Sequence, residues 1–187
     1  MTLDYRSAGR TAGTIGFAAS VLACAWLATE GRMGCPANIG TIYRKASKSA
    51  TRLAGKIGNK KSMIIIGDSL FHPAAMYGAL KFNEVLGTRA VAYPLEDFFH
   101  APLFGVKKGD RVLVIGSDSR SAYALRKADV ESFHIPSCKG MMMTIGSFLH
   151  AVFFMQHLVL QIAKKQKRKE CHFLLSKKLD ASSGFIY

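Results

Sequence analysis

Three residues close together in the chain, Tyr77, Lys81 and Glu84, have the types and spacing of a proton-transfer site. They stand at i, i+4 and i+7, so a helix would carry all of them on one face. A carboxylate can accept a proton from a carbon or a hydroxyl, and a lysine one turn before it can hold it in one orientation. The same spacing also describes a surface ion pair worth well under ~1 kcal/mol, and spacing alone favours that plainer reading. His100 follows in a segment that also holds Glu96, Asp97 and Pro102. An imidazole titrates near neutral pH, so it could take a proton from a hydroxyl and return it, or simply cap a turn. A third group comprises the runs Gly67-Asp68-Ser69 and Gly116-Ser117-Asp118-Ser119. Small and hydroxyl residues leave backbone N–H groups open to a phosphate or sugar, which makes Ser69 a binding candidate. The other histidines show no motif. His150 and His157 fall on one helix face and read as interface residues, and Glu170-Cys171-His172 is too short a cluster for a metal site. No metal and no cofactor is expected.

These groups need a scaffold, and the hydrophobic pattern supplies one. Met63–Ile66, Thr88–Tyr93, Arg111–Ile115 and Ser132–Ile135 are short apolar runs bounded by turn residues, the pattern of buried parallel strands. Pro73–Leu86 reads as a helix with proline in its first turn, residues 121–128 as a short helix, and Pro94–Gly109 as irregular. Residues 14–29, 38–57 and 143–168 read as longer helices; in the second, Ile39, Ile42, Ala46, Ala50, Leu53 and Ile57 recur at helical spacing. Strands alternating with helices predict a three-layer α/β/α domain, doubly wound, with a parallel sheet of four to five strands. Binding sites in such sheets are expected beyond the carboxyl ends of the strands. The apolar 143–163 helix would leave a large exposed face in a monomer, which predicts self-association.

Composition narrows the classes. The 187 residues are 49% apolar and 20% charged, which excludes a disordered, collagen-like or coiled-coil chain. A net charge of +14 admits nucleic acid, an anionic membrane or a phosphorylated small molecule as partner. The charge gathers in Lys164–Lys169 and in Arg44–Lys61, which read as solvated helix faces. No zinc finger, RNP-type motif or heptad-linked basic region accompanies them, so nucleic acid is not the expected partner. Thr14–Ala28 is short for a membrane span, and Met141–Ala163 carries His150, Gln156, His157 and Gln161, costly in lipid, so no membrane is expected either. The 4 cysteines show no C-x-x-C spacing and read as free thiols in a reducing, cytoplasmic compartment.

The stretch Met63–Gly109 resembles the second sugar-isomerase (SIS) subdomain of the isomerase half of glucosamine-6-phosphate synthase. That family carries a strand ending in a glycine turn, then proline, a helix with A-L-K-x-K-E, an A-x-A-Y strand and an E-x-x-H-G-P loop. The matching pieces are Ala79-Leu80-Lys81-Phe82-Asn83-Glu84, Ala90-Val91-Ala92-Tyr93 and Asp97-Phe98-Phe99-His100-Ala101-Pro102, in the same order and spacing. The resemblance implies an SIS, flavodoxin-like fold and a hexose phosphate or amino-sugar phosphate as ligand, such as fructose 6-phosphate or glucosamine 6-phosphate. It implies that Glu84 is the isomerisation base, that Lys81 orients it, and that His100 assists ring opening in a neighbouring subunit, hence a homodimer. It extends to the tail, where Lys177 matches a sugar-contacting lysine, and to Ser20, near a sugar-contacting segment. Residues 1–34 resemble the end of a first subdomain, 35–61 a linker helix, and 62–187 the SIS domain with its tail. Tyr77 stands where the family has a glutamate, Asn83 where it has lysine and Ala101 where it has glycine. The first subdomain's S-x-S-G-x-T phosphate loop does not occur in the sequence. These departures keep two alternatives open: a non-catalytic phosphosugar sensor or half-site completed by a partner chain, and a basic nucleic-acid-binding protein.

Overall fold

The structure, a computed structural model, describes residues 14–30, 32, 38–58, 62–68, 71–116, 119–135 and 145–178. Two helices, α1 (Thr14–Ala28) and α2 (Ile39–Ile57), precede the first strand, β1 (Ser62–Gly67). Then come α3 (His72–Lys81), a single π turn (Phe82–Leu86), β2 (Arg89–Pro94), α4 (Leu95–His100) and a 3₁₀ turn (Pro102–Gly105). The chain continues through β3 (Arg111–Ile115), α5 (Ser119–Lys127), β4 (Ser132–Ile135), α6 (Ile145–Lys165) and a short α7 (His172–Leu175).

The four strands are all parallel, in the order β2-β1-β3-β4, which is the doubly wound sheet the sequence predicts. Their side chains alternate between two cores, as the period of two requires. Met63 and Ile65 of β1, with Leu113 and Ile115 of β3, face a layer built by α2, α3 and α6. Ile66, Val112 and Val114 face the other way, onto Phe98 of α4 and Leu125 of α5. The segment Pro94–Gly109, irregular by sequence, is therefore helical over most of its length. Phe98 explains this: it is fully buried against the second core, and that burial holds a short helix that propensity alone would not sustain.

The α6 helix is long and apolar enough to cross a membrane by length and composition. Its apolar residues are instead covered within the chain. Leu149, Val152, Phe154, Met155, Leu158, Val159 and Ile162 are buried against α2 and α3. The argument for self-association through this helix fails for that reason, since of its large apolar residues only Leu160 is exposed. Small residues allow the close approach: Ala46, Ala50 and Ala54 of α2 meet α6, and Gly78 of α3 faces Met155, whose Cε would lie 2.3 Å from an added Cβ.

Candidate functional site

The topology puts the sequence candidates at two ends of the sheet. In a parallel β-α-β unit, the helix returns the chain from the carboxyl end of one strand to the amino end of the next. The π turn that closes α3 therefore lies beside the start of β2. Asn83 fixes it there: its side-chain amide donates to Ala79 O at 2.8 Å and to Ala90 O at 3.0 Å. Thr88 N donates to Phe82 O at 3.2 Å, and Gly87, at φ +63°, makes the left-handed bend into β2. The extra residue of a π turn re-aims the side chains that follow α3, and such turns recur at functional sites.

Within this turn Lys81 Nζ donates to Glu84 Oε2 at 2.5 Å. The lysine side chain is only 7% exposed and the carboxylate 37%, so the carboxylate faces solvent while the ammonium is held from within. Lys81 also lies 5.3 Å over the ring of Tyr77, and that ring stacks on Phe17 of α1 at 4.2 Å. The Tyr77 hydroxyl accepts a hydrogen bond from Gln156 Nε2 of α6 at 3.0 Å. Burial, above all, pushes its phenol up to about 12, and the nearby Glu84 carboxylate adds to the rise. Tyr77 is thus a neutral, buried residue that ties α3 to α1 and α6 and seats Lys81, not a group presented at the surface.

The C-terminal segment arrives at the same place. Past α6 the chain turns through Lys167 at φ +54°, Arg168 Nη2 donates to Leu86 O at 2.7 Å, and α7 packs on the π turn. The His172 ring lies so close to Gly87 that an added Cβ would meet it at 2.6 Å. Lys177 follows α7 directly and is exposed. Ser20 is exposed one helical turn beyond Phe17, on the helix that stacks against Tyr77. Lys81, Glu84 and the element bearing Lys177 are therefore gathered near the amino end of β2, while the helix bearing Ser20 stacks on Tyr77, one turn earlier in α3.

His100 is not brought to them. It is the last residue of α4, exposed, on the opposite side of the sheet from α3. Ser69 lies outside the described residues. Its neighbours Gly67 and Asp68 sit at the carboxyl end of β1, roughly 17 Å of strand away from the amino end. That carboxyl end, between β1 and β3, is where a doubly wound sheet usually opens its crevice. Here Phe71 packs against Gly116. Gly116, at φ +75°, leaves no room for a Cβ, which would stand 2.2 Å from the Phe71 ring, and Asp68 N donates across to Ile115 O at 3.1 Å. Sequence reading missed Phe71 because an aromatic beside a glycine turn carries no motif. It missed Asn83 as a structural clamp because its two carbonyl partners lie in different elements. Among the described residues no group of three or more His, Cys, Asp or Glu side chains could hold a metal.

Comparison with known proteins places this arrangement. No family model matches the chain. It is 33% identical over 84 residues to glutamine–fructose-6-phosphate aminotransferase (isomerizing) of Buchnera aphidicola, a match that covers 45% of this chain and 14% of that protein. The chain therefore spans a small part of the curated relative's length. Among solved structures, a phosphosugar isomerase assigned without experiment, from Salmonella typhimurium, superposes with a TM-score of 0.59 at 14% identity, covering 69% of this chain and 44% of that one. The C-terminal domain of glucosamine-fructose-6-phosphate aminotransferase from Francisella tularensis superposes with a TM-score of 0.53 at 18% identity, covering 72% and 45%. The structural likeness shows an SIS-type α/β fold, and the sequence likeness shows that part of the chain is similar to the isomerising aminotransferases.

Proposed function

We propose that this chain binds a hexose phosphate or amino-sugar phosphate at the Glu84 turn and contributes to its aldose–ketose isomerisation. The observation that carries this reading is the Lys81–Glu84 pair: a half-exposed carboxylate fixed at 2.5 Å by a buried ammonium, on a π turn, within the Ala79–Glu84 stretch that resembles the family's base-bearing helix. Isomerisation moves one proton between C1 and C2 of an opened sugar. Glu84 accepts it from one carbon, becomes a carboxylic acid, and returns it to the other. Lys81 fixes the acceptor oxygen, and Tyr77 with Phe17 keeps the lysine from swinging away. Ring opening requires a proton to leave the anomeric hydroxyl and another to reach the ring oxygen, a task suited to His100. His100 lies across the sheet from Glu84, so in this reading it serves the Glu84 of a second copy, and the working unit is a homodimer. Lys177, just past α7, and Ser20, on the helix that stacks on Tyr77, are the proposed sugar contacts. The free thiols of Cys24 and Cys171 suit a cytoplasmic setting.

A second reading is favoured by Tyr77. Its burial and its bond to Gln156 leave that face of α3 with fewer groups to offer a substrate, which suits a phosphosugar sensor or a half-site completed by a partner chain. Calorimetric titration with fructose 6-phosphate and glucosamine 6-phosphate, with inorganic phosphate as control, tests both readings. Sugar-selective binding supports an enzyme or a sensor, equal binding of phosphate alone sinks both, and no binding leaves only the half-site that a partner chain completes. Glu84→Gln then separates the two: it lowers turnover by roughly 100-fold or more in an enzyme while leaving affinity within a few fold.

A further inference from the structure

Two basic runs that are far apart in sequence meet in the fold. Helix α2 contains five basic residues and no acid. Four of them, Arg44, Lys48, Arg52 and Lys56, recur every fourth residue and are all exposed. At 1.5 Å per residue they form a ridge about 18 Å long, one cation each ~6 Å. The opposite face of the helix is its alanine stripe, buried on α6. Helices α2 and α6 reach the same end together, where the Lys165 ammonium lies 3.4 Å from the point a Cβ on Gly55 would occupy. Lys164, Lys165, Lys167 and Lys169, all exposed, extend the ridge from there. Among the described residues no carboxylate forms an ion pair with any of these side chains.

Charges of one sign held in a row repel each other, and a fold that keeps them so gains from a ligand that neutralises them in series. A single phosphate would engage one or two of these cations and leave the rest unmatched. An anionic bilayer would attract the same cations by charge alone, but the apolar face that would deepen its hold on α2 is already committed to α6. A strand of nucleic acid presents a phosphate every ~3.4 Å along its axis, so about five oppose an 18 Å ridge. We propose that the exposed ridge of α2, continued by the end of α6, is a docking surface for the phosphate backbone of nucleic acid, without base-specific readout. The proposal does not rest on the phosphosugar reading, although the far end of the ridge adjoins the Glu84 turn through Arg168.

The test is fluorescence anisotropy of the full chain with a labelled DNA duplex across about 50 to 200 mM salt. The expected plot of log affinity against log salt has a slope of about −4, for four to five phosphates at −0.9 each. Arg52→Gln and Lys56→Gln, single changes at exposed helical positions, each reduce that slope by about 1. The combination R44Q/K48Q/R52Q/K56Q abolishes most of it while far-UV circular dichroism stays unchanged. No binding at ~50 mM salt, or a slope unaltered in the fourfold variant, overturns the proposal. Equal affinity for poly-glutamate or for phosphatidylserine vesicles also overturns it, because the ridge would then not select a nucleic-acid backbone.

Discussion

The isomerisation proposed for Glu84 asks for a carboxylate that is at once exposed and immobile, and those demands usually conflict. A free surface glutamate samples several rotamers, and a buried one cannot meet a sugar. Lys81 resolves the conflict by reaching out from the interior with its ammonium 5.3 Å over the Tyr77 ring. Lys81→Met should therefore lower turnover, or sugar affinity if the chain does not turn over, while changing stability by less than ~1 kcal/mol, because Glu84 remains in contact with solvent. Chemical denaturation and titration of the same variant check the two halves of this prediction. Tyr77→Phe removes the acceptor for Gln156 and should cost about 1 kcal/mol while keeping the stack on Phe17. The Lys81–Glu84 pair was legible in the sequence because three-residue spacing on one helix face brings the two side chains together. The burial of Tyr77 was not, since nothing local says that Phe17 and Gln156, from two other helices, converge on it.

The π turn is the element that decides where Glu84 points. Pro73–Leu86 reads as one helix by periodicity, and periodicity has no means of showing an inserted residue. The cause lies in Asn83, whose amide bridges the end of α3 and the start of β2. Asn83→Ala should cost about 1 kcal/mol in denaturation and reduce sugar affinity or turnover, whereas a purely structural role for the turn would move stability alone. The α3–α6 contact makes a separate demand. Gly78 faces the buried Met155 with no space for a side chain, so Gly78→Val should destabilise the chain by about 1–3 kcal/mol through overpacking. The strands were legible nearly residue for residue because parallel strands buried on both faces read as plain apolar runs. Helix α4 was not, because what holds it is one phenylalanine in a core assembled from distant strands.

Across the whole molecule the titrating histidines set the response to acid. Burial, above all, lowers His134, His150 and His157, and the charges of Arg126, Lys45 and Lys164 respectively add to it. The unfolded chain, with ordinary histidines near ~6.5, then binds protons that the folded chain refuses, so stability falls as pH drops below that value. Thermal unfolding should show a lower Tm at pH ~5.5 than at ~7.5, and the difference should shrink in His150→Gln. The same scale carries the central proposal, that the phosphosugar meets the chain at the amino end of β2 and not at the carboxyl ends of β1 and β3, where Phe71 packs on Gly116. The most direct measurement is a two-dimensional NMR titration of the labelled chain with fructose 6-phosphate. The account predicts saturable amide shifts at Lys81–Ala90 and His172–Lys178, with Gly67, Asp68 and Gly116 unmoved. Shifts concentrated at Gly67–Asp68 and Gly116, with the Glu84 turn silent, would contradict it.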